Sequence, residues 1–216
     1  MAQKLREPMP KRDEKYMAEQ RSRIARKAYE CLLEKGLHKT SVRDICARAD
    51  ISMGAFYTHF TNKNDIVEHA LNYEVEVTPM PPVFDTWEGF SNQLSKMLSS
   101  AATDDIVRNS WLNYQLTAQC ALASISNSYA VSAVDKFHGW LKCNLNGIQM
   151  RGELNDEIDT DAKTVVLSNL LMGASYEISM NPDTVNSRYI DNMLTNIATL
   201  IGVPIDRPGK VGTSSE

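Results

Sequence analysis

The sequence has no apolar run approaching the ~18 residues that a membrane-spanning helix requires. Its opening residues, MAQKLREPMPKRDEKY, are polar and charged and hold no apolar core of a secretory signal, so a cytoplasmic location is expected, with no membrane partner. Cysteine is scarce. Cys31, Cys46, Cys120 and Cys143 are scattered without a CxxC or any paired spacing, which argues against a disulfide framework and leaves reduced thiols, buried in a core, as the reading. Catalytic signatures are missing too: there is no GxSxG, P-loop, HExxH or glycine-rich nucleotide fingerprint. His138 and Cys143 are five apart, share no helix face and make a poor metal pair. Asp156, Glu157, Asp159 and Asp161 crowd together, but in a polar connection, RGELNDEIDT, that water solvates. No alternating strand pattern and no internal repeat stands out. An enzyme, a metal and a cofactor are therefore not expected.

What is present is an ordinary globular composition, 43% hydrophobic and 23% charged, over 216 residues, enough for one large or two modest domains. The net charge of −4 hides a split. Up to residue 63 there are 14 Lys and Arg against 8 Asp and Glu; beyond it there are 9 against 19. That asymmetry suggests an N-terminal module facing an anion and an acidic remainder facing something else.

Apolar residues recur at helical spacing along the chain, which predicts an all-α fold of about nine helices. Ile24, Ala28 and Leu32, with Ala25, Tyr29 and Leu33, mark a helix over 18–35 with Gly36 beyond its end. Thr40 or Ser41 can cap a second helix, Ser52 a short third (MGAFYTHF), and Asn62 a fourth from Lys63 to about Glu74. These segments are short and tightly linked, so they must pack as one unit. Prolines in VTPMPPVFDT punctuate the chain at 77–86. Longer helical patterns begin near Trp87 and Asp105. Val131, Val134, His138, Leu141, Leu145 and Ile148 mark another, interrupted by Gly139 and Gly147, which weaken a helix. Two more run from about Asp161 to Met180 and up to Gly202.

The stretch TSVRDICARADISMGAFYTHF, followed by TNKNDIVEHAL, resembles the TetR family of transcriptional regulators. The resemblance rests on Thr40, Ser52, the run Tyr57-Thr58-His59-Phe60 and Lys63, and it is specific over about 50 residues. It implies a helix-turn-helix whose second helix enters a major groove. On that pattern Arg43, Met53, Gly54, Ala55, Tyr57 and His59 face DNA, with Ser52 and Thr58 at the ends of the reading segment. Thr40 and Lys63 match phosphate-contacting positions. Asp50 stands where the family pattern has Gly, at a turn that often needs positive φ, a conformation Asp tolerates better than most residues. The implied layout is an arm over 1–17, a DNA-binding head over 18–76, an effector-binding and dimerisation body over 77–203 and a tail over 204–216.

One helix-turn-helix reads only a half-site, so a homodimer on a palindromic double-stranded operator is expected. The segment from Val165 to Gly173 is apolar nearly all round, which suggests burial on two sides. Val166, Leu170, Gly173 and Ala174, with Ile190, Met193 and Ile197 of the last helix, are the candidate dimer contacts. The resemblance further implies a pocket for a small organic effector, which would release a repressor from its operator, and Met97, Trp111, Tyr114, Gln115, Cys120, Phe137, His138 and Trp140 are its candidate walls. A constitutive DNA-organising or protein-docking role on the same fold, with a filled body and no effector, is the alternative.

Overall fold

In the computed structural model, which describes residues 14–122, 125, 128–155 and 157–204, no strand occurs among the described residues. Among these residues nine α-helices follow one another: α1 (Glu14–Lys39), α2 (Val42–Ala49), α3 (Met53–Tyr57), α4 (Lys63–Val77), α5 (Trp87–Ala101), α6 (Asp104–Leu122), α7 (Ser128–Met150), α8 (Thr160–Met180) and α9 (Ser187–Ile201), with a 3-10 turn at Pro182–Thr184. Their starts follow side-chain caps. Ser41, Ser52, Asn62, Thr86, Asp159 and Asn186 each accept a backbone N–H in the first turn of α2, α3, α4, α5, α8 and α9. Those donors would otherwise be left open. Of the two candidates before α2 it is Ser41 that caps, in a reciprocal box with Asp44.

The chain divides into two compact units. The head runs to Thr78 and also takes in Leu116–Tyr129, more than the expected 18–76. The reason is apolar burial: Leu116 and Cys120 near the end of α6, with Ile125, join the cluster of Ile24, Leu32, Ile45, Phe56, Phe60 and Ile66. α1 also departs from expectation. It is already helical from Glu14, so residues 14–17 are no loose arm, and it does not stop before Gly36. Gly36 takes φ 74°, a left-handed value open to glycine, and a further turn reaches Lys39. The break leaves the Leu37 N–H without its helical acceptor, and the Gln119 side chain accepts it at 2.9 Å. The remainder of the expected arm, and the expected tail beyond Pro204, lie outside the described residues.

The body comprises Pro79–Gln115 and the chain from Ala130. Phe90 and Leu94 of α5, Leu141, Leu145 and Ile148 of α7, Leu167 of α8, and Ile197 and Ile201 of α9 form its main cluster. The proline-marked connection is fastened to α7 by a buried amide. Asn144 accepts the Phe84 N–H at 2.8 Å and donates to the Trp140 carbonyl at 2.8 Å, while the Trp140 indole N–H donates to the Pro82 carbonyl. Gly147 permits the same approach, since a Cβ there would stand 3.1 Å from the Asp85 Cα. α7 is therefore one helix in spite of its two glycines.

Two buried hydroxyls in the body, Thr164 Oγ1 and Tyr189 Oη, have no hydrogen-bond partner. An unsatisfied buried hydroxyl costs about 1–3 kcal/mol. Tyr189→Phe is therefore expected to stabilise the protein by about 1 kcal/mol and to raise the melting temperature by about 2–4 °C in a calorimetric scan. A lower melting temperature would mean that the hydroxyl contributes a favourable contact.

Candidate nucleic-acid interface and body cavity

Three polar attachments fix α2 against α1. Arg23 donates to the Ala49 carbonyl at 2.7 Å, at the end of α2. Lys35 pairs with Asp44 at 2.7 Å, and Arg48 with Glu34. The Lys35 ammonium and the Ser41 hydroxyl and N–H, all hydrogen-bonded to Asp44, hold its carboxyl far below the usual carboxylate range. The turn after α2 then reverses through Asp50, whose φ of 52° makes it the non-glycine residue of positive φ among those described. The Ile51 N–H closes the turn on the Cys46 carbonyl at 3.0 Å.

α3 is only five residues long and ends at Tyr57, earlier than the expected MGAFYTHF. Thr58 Oγ1 donates back to the Ala55 carbonyl at 2.7 Å, and the Thr58 and His59 N–H groups bond carbonyls three residues back. Phe56 and Phe60 are fully buried, their rings 5.5 Å apart. That burial turns Met53, Gly54 and Tyr57 outward, with Ala55 half-buried beside them. Tyr57 is 56% exposed and Met53 40%. Gly54 faces open space, the nearest neighbour to a Cβ being Ser52 Oγ at 3.8 Å. Arg43 is exposed on α2, and Ser52 and Thr58 are exposed at the two ends of α3; His59 is half-buried.

One expected phosphate contact, Thr40, needs correction, and a second, Lys63, is already partly engaged. Thr40 is 1% exposed, and its hydroxyl donates within the head, to the Gly36 carbonyl at 2.8 Å and towards the Cys31 carbonyl at 3.2 Å. Its side chain closes the end of α1 and does not face solvent. Lys63 is half-buried; its ammonium gives one N–H to the Leu37 carbonyl at 2.5 Å, and burial lowers its pKa. Two further N–H groups remain on that ammonium.

The body holds a cavity of about 280 Å³. α5 supplies Leu94, Met97, Leu98 and Ala101 to its wall; Phe137 comes from α7, and Leu171, Met172, Ser175 and Ile178 from α8. Of the expected wall residues, Met97 and Phe137 line it. Cys120 is buried in the head cluster and Gln115 is exposed. Trp140 is a core anchor stacked on Phe137, with ring centroids 5.9 Å apart. Trp111 and Tyr114 form a separate aromatic group with Tyr176, and the Trp111 indole donates to the Ser179 carbonyl at 2.8 Å. His138 is half-buried and does not line the cavity. Residue type alone had singled out the aromatics. The aliphatic walls carried no signal distinguishing them from ordinary core.

The expected dimer contacts also divide. Val166 is 47% exposed and Gly173 is exposed, a Cβ there meeting nothing within 4 Å. Leu170, Ile190 and Met193 are half-buried against the body clusters. Ala174 and Ile197 lie inside the protomer, 4% and 0% exposed, and are not surface contacts. α8 nonetheless presents an apolar face to solvent, with Val165, Val166, Met172, Tyr176 and Met180 each about half exposed. The outward residues of α9 are polar, among them Arg188, Asp191, Asn192 and Thr195.

Among the described residues no group of three potential metal ligands comes together, and no helix is long and apolar enough to cross a membrane. Burial raises the pKa of Cys31, Cys46 and Cys120, as suits structural thiols.

A short helix held by its buried aromatics, set behind a tight turn and presenting small and polar residues outward, is the reading element of a helix-turn-helix DNA-binding regulator. Residues 24–70 match the family model of the bacterial regulatory proteins of the tetR family. The HTH-type transcriptional regulator SrpR of Pseudomonas putida is 24% identical over 164 residues, 74% of this chain and 75% of its own. The structure of Salmonella enterica GusR superposes with a TM-score of 0.63 at 20% identity, covering 85% of this chain and 95% of that one. The multidrug binding protein EbrR, solved in complex with proflavin, gives a TM-score of 0.60 at 19% identity over 84% of this chain and 99% of its own.

The left-handed conformation of Asp50 costs roughly 1 kcal/mol that glycine would not bear. Asp50→Gly is expected to raise stability by about that amount and Asp50→Val to lower it by at least as much, read from urea midpoints. Loss of stability in the glycine variant would show that the carboxylate contributes more than its backbone strain removes.

Proposed function

We propose that this DNA-binding transcriptional regulator is a homodimeric repressor that reads one operator half-site with each α3 and leaves the operator when a small organic molecule occupies the body cavity. The exposure of Met53, Gly54 and Tyr57 over buried Phe56 and Phe60 carries the reading. Met53, Gly54, Ala55 and Tyr57 read base edges. Arg43, Ser52, Thr58, His59 and Lys63 hold the flanking backbone. The second copy packs on the apolar face of α8, because five half-exposed large apolar side chains on one helix are otherwise left in water. A body with a filled core would favour the constitutive alternative; the cavity weighs against it. Release requires that the effector bind more tightly to the arrangement that does not fit DNA, since equal affinity shifts nothing. This reading needs no catalytic group, cofactor or metal, and it places the protein in the cytoplasm with its DNA.

Gly54→Ala separates reading from folding. Replacing a helical glycine that faces open space should leave thermal stability unchanged or higher by about 0.5–1 kcal/mol. Operator affinity, measured by fluorescence anisotropy at fixed salt, should fall by about tenfold or change its preferred sequence. Unchanged affinity and preference would place the reading surface elsewhere.

Gly173→Glu tests the dimer. A Cβ there meets nothing within 4 Å in the protomer, but in a helix-packed interface a glutamate would bury an unpaired charge. Sedimentation should show folded monomers with much weakened operator binding. A variant that remains dimeric would rule out this face.

A further inference from the structure

We infer that the body cavity selects an uncharged, predominantly apolar molecule of about bicyclic aromatic size, and discriminates against organic cations of the same shape. The inference rests on the effector reading above and concerns the chemistry of that cavity.

Among the described residues, no ionisable side chain lines the wall. Leu94, Leu98, Leu171 and Ile178 supply aliphatic surface, Met97 a polarisable thioether and Phe137 a ring. Ser175 is the hydrogen-bonding side chain among the lining residues, and it stands half-buried on α8. A cavity of about 150 Å³ lined by such residues stays dry and takes up benzene. The present volume of about 280 Å³ is roughly twice that. It lies at the small end of ligand pockets, below the size of most drug-like molecules. An apolar guest gains by leaving water for these walls, and a hydroxyl on it can pair with Ser175.

A cation gains far less. Transferring it from water costs heavily unless an opposite charge receives it, and among the described residues no carboxylate lines this cavity. A ring face can attract a cation, but one face of the Phe137 ring is already stacked on Trp140, at an interplanar angle of 19°. One remaining ring face returns less than desolvation takes. The discrimination is therefore electrostatic and does not depend on shape. Ser175 is the position that controls it, because a carboxylate placed there would supply the missing counter-charge.

The test uses two probes of matched shape, naphthalen-1-ylmethanol and naphthalen-1-ylmethylammonium, titrated into the full-length protein by calorimetry at neutral pH. The alcohol is expected to bind at least about tenfold more tightly than the ammonium. Ser175→Asp should reverse the order, weakening the alcohol and strengthening the ammonium by about tenfold each. Equal or tighter binding of the ammonium to the unmodified protein overturns the inference, and so does failure of both probes to bind. If Ser175→Asp shifts both probes in the same direction, or neither, binding is not in this cavity and the inference falls. The comparison in the unmodified protein stands even if the variant does not fold. Operator binding is followed in parallel. Alcohol binding that leaves operator affinity unchanged would uphold the ligand class and sink the effector reading. Operator release by the ammonium alone would do the reverse.

Discussion

A helix of five residues has no stability of its own, because nucleation fixes several residues before hydrogen bonds return the cost. α3 exists because Phe56 and Phe60 are sunk into the head cluster, and every feature of the outward surface follows from that anchorage. The two rings determine which way α3 faces. The helix ends at Tyr57, where the Thr58 and His59 N–H groups bond the Ala55 and Phe56 carbonyls three residues back. The remaining head elements serve the same end. α1 supplies Ile24, Ala28 and Leu32 as the floor, and α4 supplies Ile66, Val67 and Ala70 as the wall.

Polar groups in the head are spent on position. Arg23 on the Ala49 carbonyl at the end of α2, Lys63 on the Leu37 carbonyl and Thr40 on the end of α1 all satisfy backbone acceptors where helices stop or break. Such acceptors must be paired when they are withdrawn from water. In the same way, Asn144 holds the proline-marked connection in the body by pairing with backbone on both sides. A basic balance in the first 63 residues is thus only partly a surface property, since several of those cations are bound inward.

The helices were legible in the sequence because their starts are written in short polar side chains. Ser52, Asn62 and Asp50 gave two caps and a turn, and the left-handed φ at Asp50 was expected because the resembled family has glycine at that turn. The path of α1 through Gly36 was not, since it depends on Gln119, which lies 82 residues away. Nor was the enlargement of the head by residues 116–129, because apolar periodicity says that a face is buried but not against what. The same ambiguity assigned Ala174 and Ile197 to a surface when they belong to the interior. Trp140 and Cys120 were chosen by residue type for a cavity that aliphatic side chains chiefly build. Thr40 was matched by its place in a motif, and burial gives it a structural role.

Gly54 has a consequence for how such a protein can diversify. No neighbour constrains a side chain there, and the residues that hold α3 are not those it presents. Proteins keep only about 5–15 kcal/mol of net stability, and most substitutions draw on it. A change at Gly54 draws on none of it, since an alanine there favours the helix. If Gly54 reads base edges as proposed, duplicated copies of this gene acquire new DNA targets by single steps, each copy remaining folded throughout, with no compensating change needed in the core.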